Sequence, residues 1–176
     1  IIREGERFVP AFKNATYWSN EYHWRWATKP NPREKASFLT ENILPIEESG
    51  QLKFVKIGRR SAEENIYLRN ILPNIDAFMV NGHTDAMMIP HMQYKGRTIA
   101  FMADLLPSVH HIPLAWVMAY DTRPLLSMAE KQDFLGSAAD ENIVLFFEHD
   151  AHNQCATVER TEKGIRLKET FPLSAL

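Results

Sequence analysis

Three apolar runs in this chain end in side chains that can bind a metal or move a proton. Val80-Asn81-Gly82-His83-Thr84-Asp85 places an imidazole just past an apolar stretch, beside a glycine that permits a sharp turn. Ile99-Ala100-Phe101-Met102-Ala103-Asp104 ends in a carboxylate, and Val144-Leu145-Phe146-Phe147-Glu148-His149-Asp150 ends in a second imidazole. Imidazole and carboxylate hold zinc and related divalent ions, and strand ends are rigid points from which such groups converge. Each residue alone has a plainer reading. A histidine after a strand is more often a hydrogen-bonded surface group, and a terminal Asp more often satisfies turn amides.

The elements that would position these groups alternate between helix and strand. Ala15-Thr16-Tyr17-Trp18 predicts a short strand, and Ser19 or Asn20 can cap a helix carrying Tyr22, Trp24 and Trp26. Lys29-Pro30-Asn31-Pro32 stops that helix. Phe38, Leu39, Ile43 and Leu44 predict a second helix from about Glu34, ended by Pro45 and then Gly50. Strand candidates follow at 52–57, 75–80, 87–89, 98–102 and 143–147, with a hairpin turn at Tyr94-Lys95-Gly96-Arg97. Residues 125–139 carry Leu126, Met128, Ala129, Phe134 and Leu135 and read as an amphipathic helix leading into the last buried strand. The pattern is α/β, with no repeat or flexible linker to mark an internal boundary.

Composition narrows the classes. With 176 residues, 45% hydrophobic and 24% charged, the chain suits one globular domain and excludes a disordered tail. Twenty Lys and Arg against 22 Asp and Glu give a net charge of −2 without a basic block, which argues against a nucleic-acid partner. Its apolar runs are far shorter than the roughly 20 residues of a membrane helix. The lone Cys155 makes neither an internal disulfide nor a Cys-rich zinc site, and is compatible with a reducing, cytoplasmic location.

Gly82-His83-Thr84 resembles the Gly-His-Thr ligand turn of the metallo-β-lactamase-fold hydrolases. Ala103-Asp104 stands where that family has Gly-Asp, and Phe147-Glu148-His149-Asp150 is similar to its final strand and ligand histidine. The separations, 21 residues from His83 to Asp104 and 45 from Asp104 to His149, are of the kind the family uses. The likeness covers nearly the whole chain. The stretch from Ala103-Asp104-Leu105-Leu106-Pro107-Ser108 through Trp116-Val117-Met118-Ala119-Tyr120-Asp121 is most similar to the bacterial lactonase branch, as are Phe12-Lys13-Asn14-Ala15 and Lys29-Pro30-Asn31-Pro32.

One departure is large. The family's His-x-His-x-Asp-His signature is missing: none of His23, His83, His91, His110, His111, His149 and His152 has that spacing. The resemblance therefore implies that residues 1–176 are the C-terminal portion of a single αββα domain. It places the signature in an N-terminal portion carried by a separate chain of the same protein.

The activity implied is metal-dependent hydrolysis of a small ester or lactone, acyl-homoserine lactones included. Two divalent ions are expected, zinc first, with Mn, Fe or Co as alternatives. Asp104 would bridge them and act in catalysis, His83 would bind the first and His149 the second. A hydroxide between the ions would attack the carbonyl. Without its partner portion the chain should be inactive, because each ion has too few ligands.

His111 is the candidate to contact a substrate oxygen or the leaving group, with a plain surface role as the alternative for it and for His110. Asp121 reads as a cap for the following helix. His91 and His152 read as solvent-facing or supporting groups, and His23 as a packing residue. The Trp18, Tyr22, Trp24 and Trp26 cluster reads as core, or as a pocket for an acyl chain. Self-association is compatible with the sequence, and no membrane partner is expected. The competing class is a noncatalytic binding or assembly remnant of the same fold.

Overall fold

Gly5, at φ +62°, turns the chain between β1 (Ile2–Glu4) and β2 (Arg7–Val9), which pair antiparallel. The computed structural model describes residues 1–58 and 65–176, in two compact units lying within 1–60 and 61–176.

In the first unit, β3 (Tyr17–Asn20) pairs in parallel with β4 (Leu52–Val55), and α1 (Glu21–Thr28) and α2 (Thr40–Glu48) lie between them in sequence. Asn20 caps α1 as expected, its Oδ1 accepting the His23 amide at 2.9 Å. α2 begins later than the spacing predicts, and Phe38 and Leu39 stay outside it. The preceding segment is drawn into turns by Asn31, whose Oδ1 accepts the Arg33 and Glu34 amides. Pro45 sits inside α2 rather than ending it, and the chain turns away at Gly50, φ +73°. Tyr22, Trp24 and Trp26 each take a different partner. Trp26 Nε1 donates to the buried Glu34, Tyr22 donates to the Gly58 carbonyl, and Trp24 packs on Phe54.

The second unit is one seven-stranded sheet. Its strands are β5 (Ile66–Leu72), β6 (Ile75–Val80), β7 (Met87–Tyr94), β8 (Arg97–Phe101), β9 (Val144–Phe146), β10 (Cys155–Thr161) and β11 (Gly164–Phe171), in the order β11-β10-β9-β8-β7-β6-β5. The predicted β7–β8 turn forms with Lys95 and Gly96 both at positive φ, the geometry that matches strand twist. β8 and β9 are the only parallel neighbours among the described strands of this sheet, joined by the crossover helix α3 (Pro124–Glu141). Asn142 ends α3 in the left-handed conformation.

α3 lays Ser127, Glu130, Lys131, Phe134, Leu135 and Ala138 against the interior, a stripe at helical spacing. Phe134, Leu135 and Ala138 join the core with Val80, Ile89, Ala100, Leu145 and Ala156. Phe134 and Leu135 of the predicted apolar face are buried, but the first half of the buried stripe is polar, and Leu126 and Met128 are only half-buried and Ala129 exposed. β1, β2, β5 and the β10–β11 hairpin were not legible as strands, because their exposed faces carry charged and apolar residues without clean alternation. Among the described residues no helix is long and apolar enough to cross a membrane.

Candidate active site

β6 and β8 both pair antiparallel with β7, and β9 is parallel to β8, so β6, β8 and β9 run in one direction. Their C-terminal ends therefore share one edge of the sheet, and His83, Asp104 and His149 each follow one of those ends. The three side chains meet. Asp104 Oδ2 lies 3.4 Å from His83 Nε2, and Asp104 Oδ1 lies 3.2 Å from His149 Nε2. One carboxylate thus faces two imidazoles, one oxygen to each.

The His83 loop is clamped from behind. Glu130, fully buried, accepts the Asn81 amide at 2.6 Å and the Gly82 amide at 2.9 Å. Asn81 Oδ1 accepts the Ala86 amide, Arg123 Nη1 donates to the Asn81 carbonyl, and the Arg123 and Thr122 amides donate to the Gly82 and His83 carbonyls. Burial pushes the Glu130 carboxyl up to about 7, against the pull of the two amides. Gly82 is required by close approach, since a Cβ there would overlap the Ser127 backbone.

Asp121 does not cap α3, whose N-terminus begins at Arg123 without a side-chain cap. Its buried Oδ1 lies 2.9 Å from His83 Nδ1. A carboxylate only accepts, so the proton is assigned to Nδ1, and Nε2 is the ring nitrogen turned to Asp104, where a proton or a cation between the two atoms would bind them together. Tyr120, 61% exposed, stands edge-on to the His83 ring at 5.9 Å.

On the other side, Asp150 accepts the amides of His152, Asn153 and Val109, joining the loop after His149 to the 3-10 turn Val109–His111. Burial alone would raise the Asp150 carboxyl, but these amides hold it down at about 2. His111 Nδ1 bonds Ser108 Oγ at 2.9 Å, and burial, with Lys131 and His110 nearby, keeps the ring below its ordinary pKa. His110 and His152 are exposed. His91 is buried instead of solvent-facing, its Nδ1 2.7 Å from the Tyr67 hydroxyl, and burial lowers it to about 4.

Donor chemistry fits divalent ions. Bonds of about 2.1 Å at a tetrahedral angle set ligand atoms roughly 3.4 Å apart, close to both observed separations from Asp104. The count is short: each prospective ion finds one imidazole and one shared carboxylate oxygen. Accordingly, among the described residues no group of three or more His, Cys, Asp or Glu side chains could hold an ion.

No protein-family model matches the chain, and no curated protein sequence does. Solved structures do. A probable metal-dependent hydrolase from Staphylococcus aureus superposes with a TM-score of 0.73 at 22% identity over 94% of this chain and 56% of its own. The hydrolase AbOPH of the β-lactamase superfamily gives 0.69 at 17% identity, over 92% and 57%. AidC, a dizinc quorum-quenching lactonase, gives 0.62 at 16% identity, over 94% and 60%. The chain spans less than two thirds of the length of each. Its sheet, its crossover helix and its three converging strand ends are a portion of the metallo-β-lactamase fold.

Proposed function

We propose that the chain is part of a metal-dependent hydrolase acting on a small ester or lactone. The observation that carries this reading is Asp104 set between the Nε2 atoms of His83 and His149, with His83 Nδ1 held by Asp121. His83 with Asp104 would hold one divalent ion, and Asp104 with His149 a second, zinc being the ion named for the lactonase AidC. Bound ions would polarise a carbonyl and let water attack near neutral pH. Asp121 fixes the His83 tautomer, as carboxylates behind metal-binding histidines do. Val109 and Asp150 hold the His111 turn against the His149 loop, and neutral His111 would hydrogen-bond a substrate or leaving-group oxygen. The missing donors would come from an N-terminal portion of the same protein.

Metal analysis of the full natural protein should find about two divalent ions per copy. Asp104→Ala should lose both, with hydrolysis of lactones and aryl esters falling roughly 100-fold or more. Retention of two ions and full activity by that variant would overturn the proposal. A metal-free, folded, inactive natural protein would identify a noncatalytic remnant whose imidazoles are simply ion-paired.

A further inference from the structure

A cavity of about 580 Å³ lies between α3, the 112–115 segment and the β10–β11 hairpin, and none of the groups discussed so far as ligands line it. Its walls are apolar where Ile112, Pro113, Leu114, Leu135 and Ile165 meet, and three cations, Arg160, Lys163 and Arg166, border it. Arg160 is engaged already. Its Nε and Nη2 each donate to Asp140 at 2.6 Å, and Nη2 also reaches the Gly136 carbonyl. Lys163 and Arg166 are different. Among the described residues neither has a carboxylate partner, and Arg166 Nη1 reaches only the Ile165 carbonyl at 2.8 Å.

A second cavity of about 290 Å³ shares Ile112, Pro113 and Arg166 with the first and continues past Trp116 and Leu167. These two are 63% and 40% exposed, large apolar groups left open beside the groove. The size of the first cavity lies within the range of small-molecule sites. Glu159 stands opposite Arg166 in the strand register and Glu162 precedes Lys163, yet among the described residues neither cation closes an ion pair, so an apolar trough with these two cations on one wall is complementary to a ligand with an apolar body and a single anionic end. A guanidinium takes a carboxylate in two parallel hydrogen bonds, with an ammonium adding a point charge.

We propose that this groove binds an amphipathic carboxylate of medium chain length, its head at Lys163 and Arg166 and its chain over the half-buried Pro113, Leu114 and Ile165. The assignment is independent of the hydrolase reading, since it uses none of the residues at the His83–Asp104–His149 edge.

The test is titration of decanoate into the protein, followed by NMR of the Trp116 indole and the Ile165 methyls and by calorimetry, with decanol as the uncharged control. Decanoate should bind and shift those signals, and decanol should bind at least tenfold more weakly. A Lys163→Gln/Arg166→Gln double variant, altered only at surface cations, should stay folded and weaken decanoate at least tenfold while leaving decanol unchanged. No saturable decanoate binding at millimolar concentration would overturn the proposal. So would equal binding of decanol, or an unaffected double variant.

Discussion

Glu130 and Lys131 are neighbours in α3, oppositely charged and both fully buried, and each anchors a different loop. Glu130 accepts two amides from the loop that carries His83. Lys131 donates to three carbonyls, Pro113, Leu114 and Trp116, of the loop that walls the apolar groove. A carboxylate gathers N–H groups and an ammonium gathers C=O groups, so one turn of helix satisfies two irregular segments that could not otherwise be buried. The loops differ in their other supports. The His83 loop also touches α3 backbone to backbone at Gly82 and is bridged by Arg123, whereas Lys131 alone ties the 113–116 carbonyls to α3 among the bonds described here. One loop is tied to α3 by steric contact and several bonds, the other, among the described residues, by the hydrogen bonds of a single ammonium.

The largest effect that would sharpen this contrast comes from Gly82→Ala. The added Cβ would lie 2.6 Å from Ser127 Cα and closer still to the Ser127 nitrogen, and backbone cannot swing aside as a long side chain can. Loop and helix must separate, at a cost of about 3 kcal/mol or more, read by denaturant unfolding. The His83–Asp121 bond would be displaced with them. In the other loop, Ala115→Ser on the exposed surface should change stability by less than about 0.5 kcal/mol. Equal, small effects at both sites would remove the distinction between steric and electrostatic anchoring.

A second, pH-dependent effect separates the two anchors by sign. Burial raises Glu130 from 4.5 to about 7, so its contribution is fully present below pH 4.5 and is lost as pH rises through 7. Burial lowers Lys131 from 10.5 to about 8, so its contribution is present above pH 10.5 and is lost as pH falls through 8. Each shift corresponds to about 3 kcal/mol. Other groups titrate in the same range, His91 among them, and differences against variants remove them. The stability of the natural protein minus that of Glu130→Gln should fall by about 3 kcal/mol from pH 4.5 to 8. The difference against Lys131→Met should rise by a similar amount from pH 7 to 10.5. Unfolding series at several pH values check both, and slopes of the same sign would break the comparison.

The same pair shows what the sequence could and could not reveal. His83, Asp104 and His149 were legible because each ends an apolar run, and short apolar runs bounded by turn residues report buried strands. Their convergence was not, since it depends on β7 reversing between β6 and β8 and on a parallel β8–β9 pair. Glu130 and Lys131 were invisible as anchors: charged residues in a helix ordinarily face water, and the groups they satisfy lie 48 and 49 residues away in sequence for Glu130 and 15 to 18 for Lys131. Asp121 misled for a related reason. An Asp just before a helix resembles a cap, yet here a histidine 38 residues earlier takes its oxygen. The β10–β11 hairpin escaped because one of its strands is almost wholly exposed and lacks an apolar face.

The smallest effect concerns Ala103, where the resembling family has glycine. Ala103 sits at φ +42° in a turn closed by the Leu105 amide and the Met102 carbonyl at 3.1 Å. A left-handed backbone costs a residue with a Cβ about 1 to 2 kcal/mol, while glycine loses roughly 0.5 to 1 kcal/mol more chain entropy on folding. Ala103 is only half-buried against the core, so Ala103→Gly gives up part of a methyl's burial for that relief and should gain no more than about 0.5 kcal/mol. Ala86, at φ +55° in the His83 loop, is a matched control, buried and with its amide held by Asn81 Oδ1. Ala86→Gly relieves the same strain but also removes a buried methyl, about 0.8 kcal/mol, and should come out neutral or slightly destabilising. The pair is read in parallel denaturant titrations. A gain at 86 with a loss at 103 would mean that the turn carrying Asp104, and not the loop carrying His83, is the more tightly determined of the two.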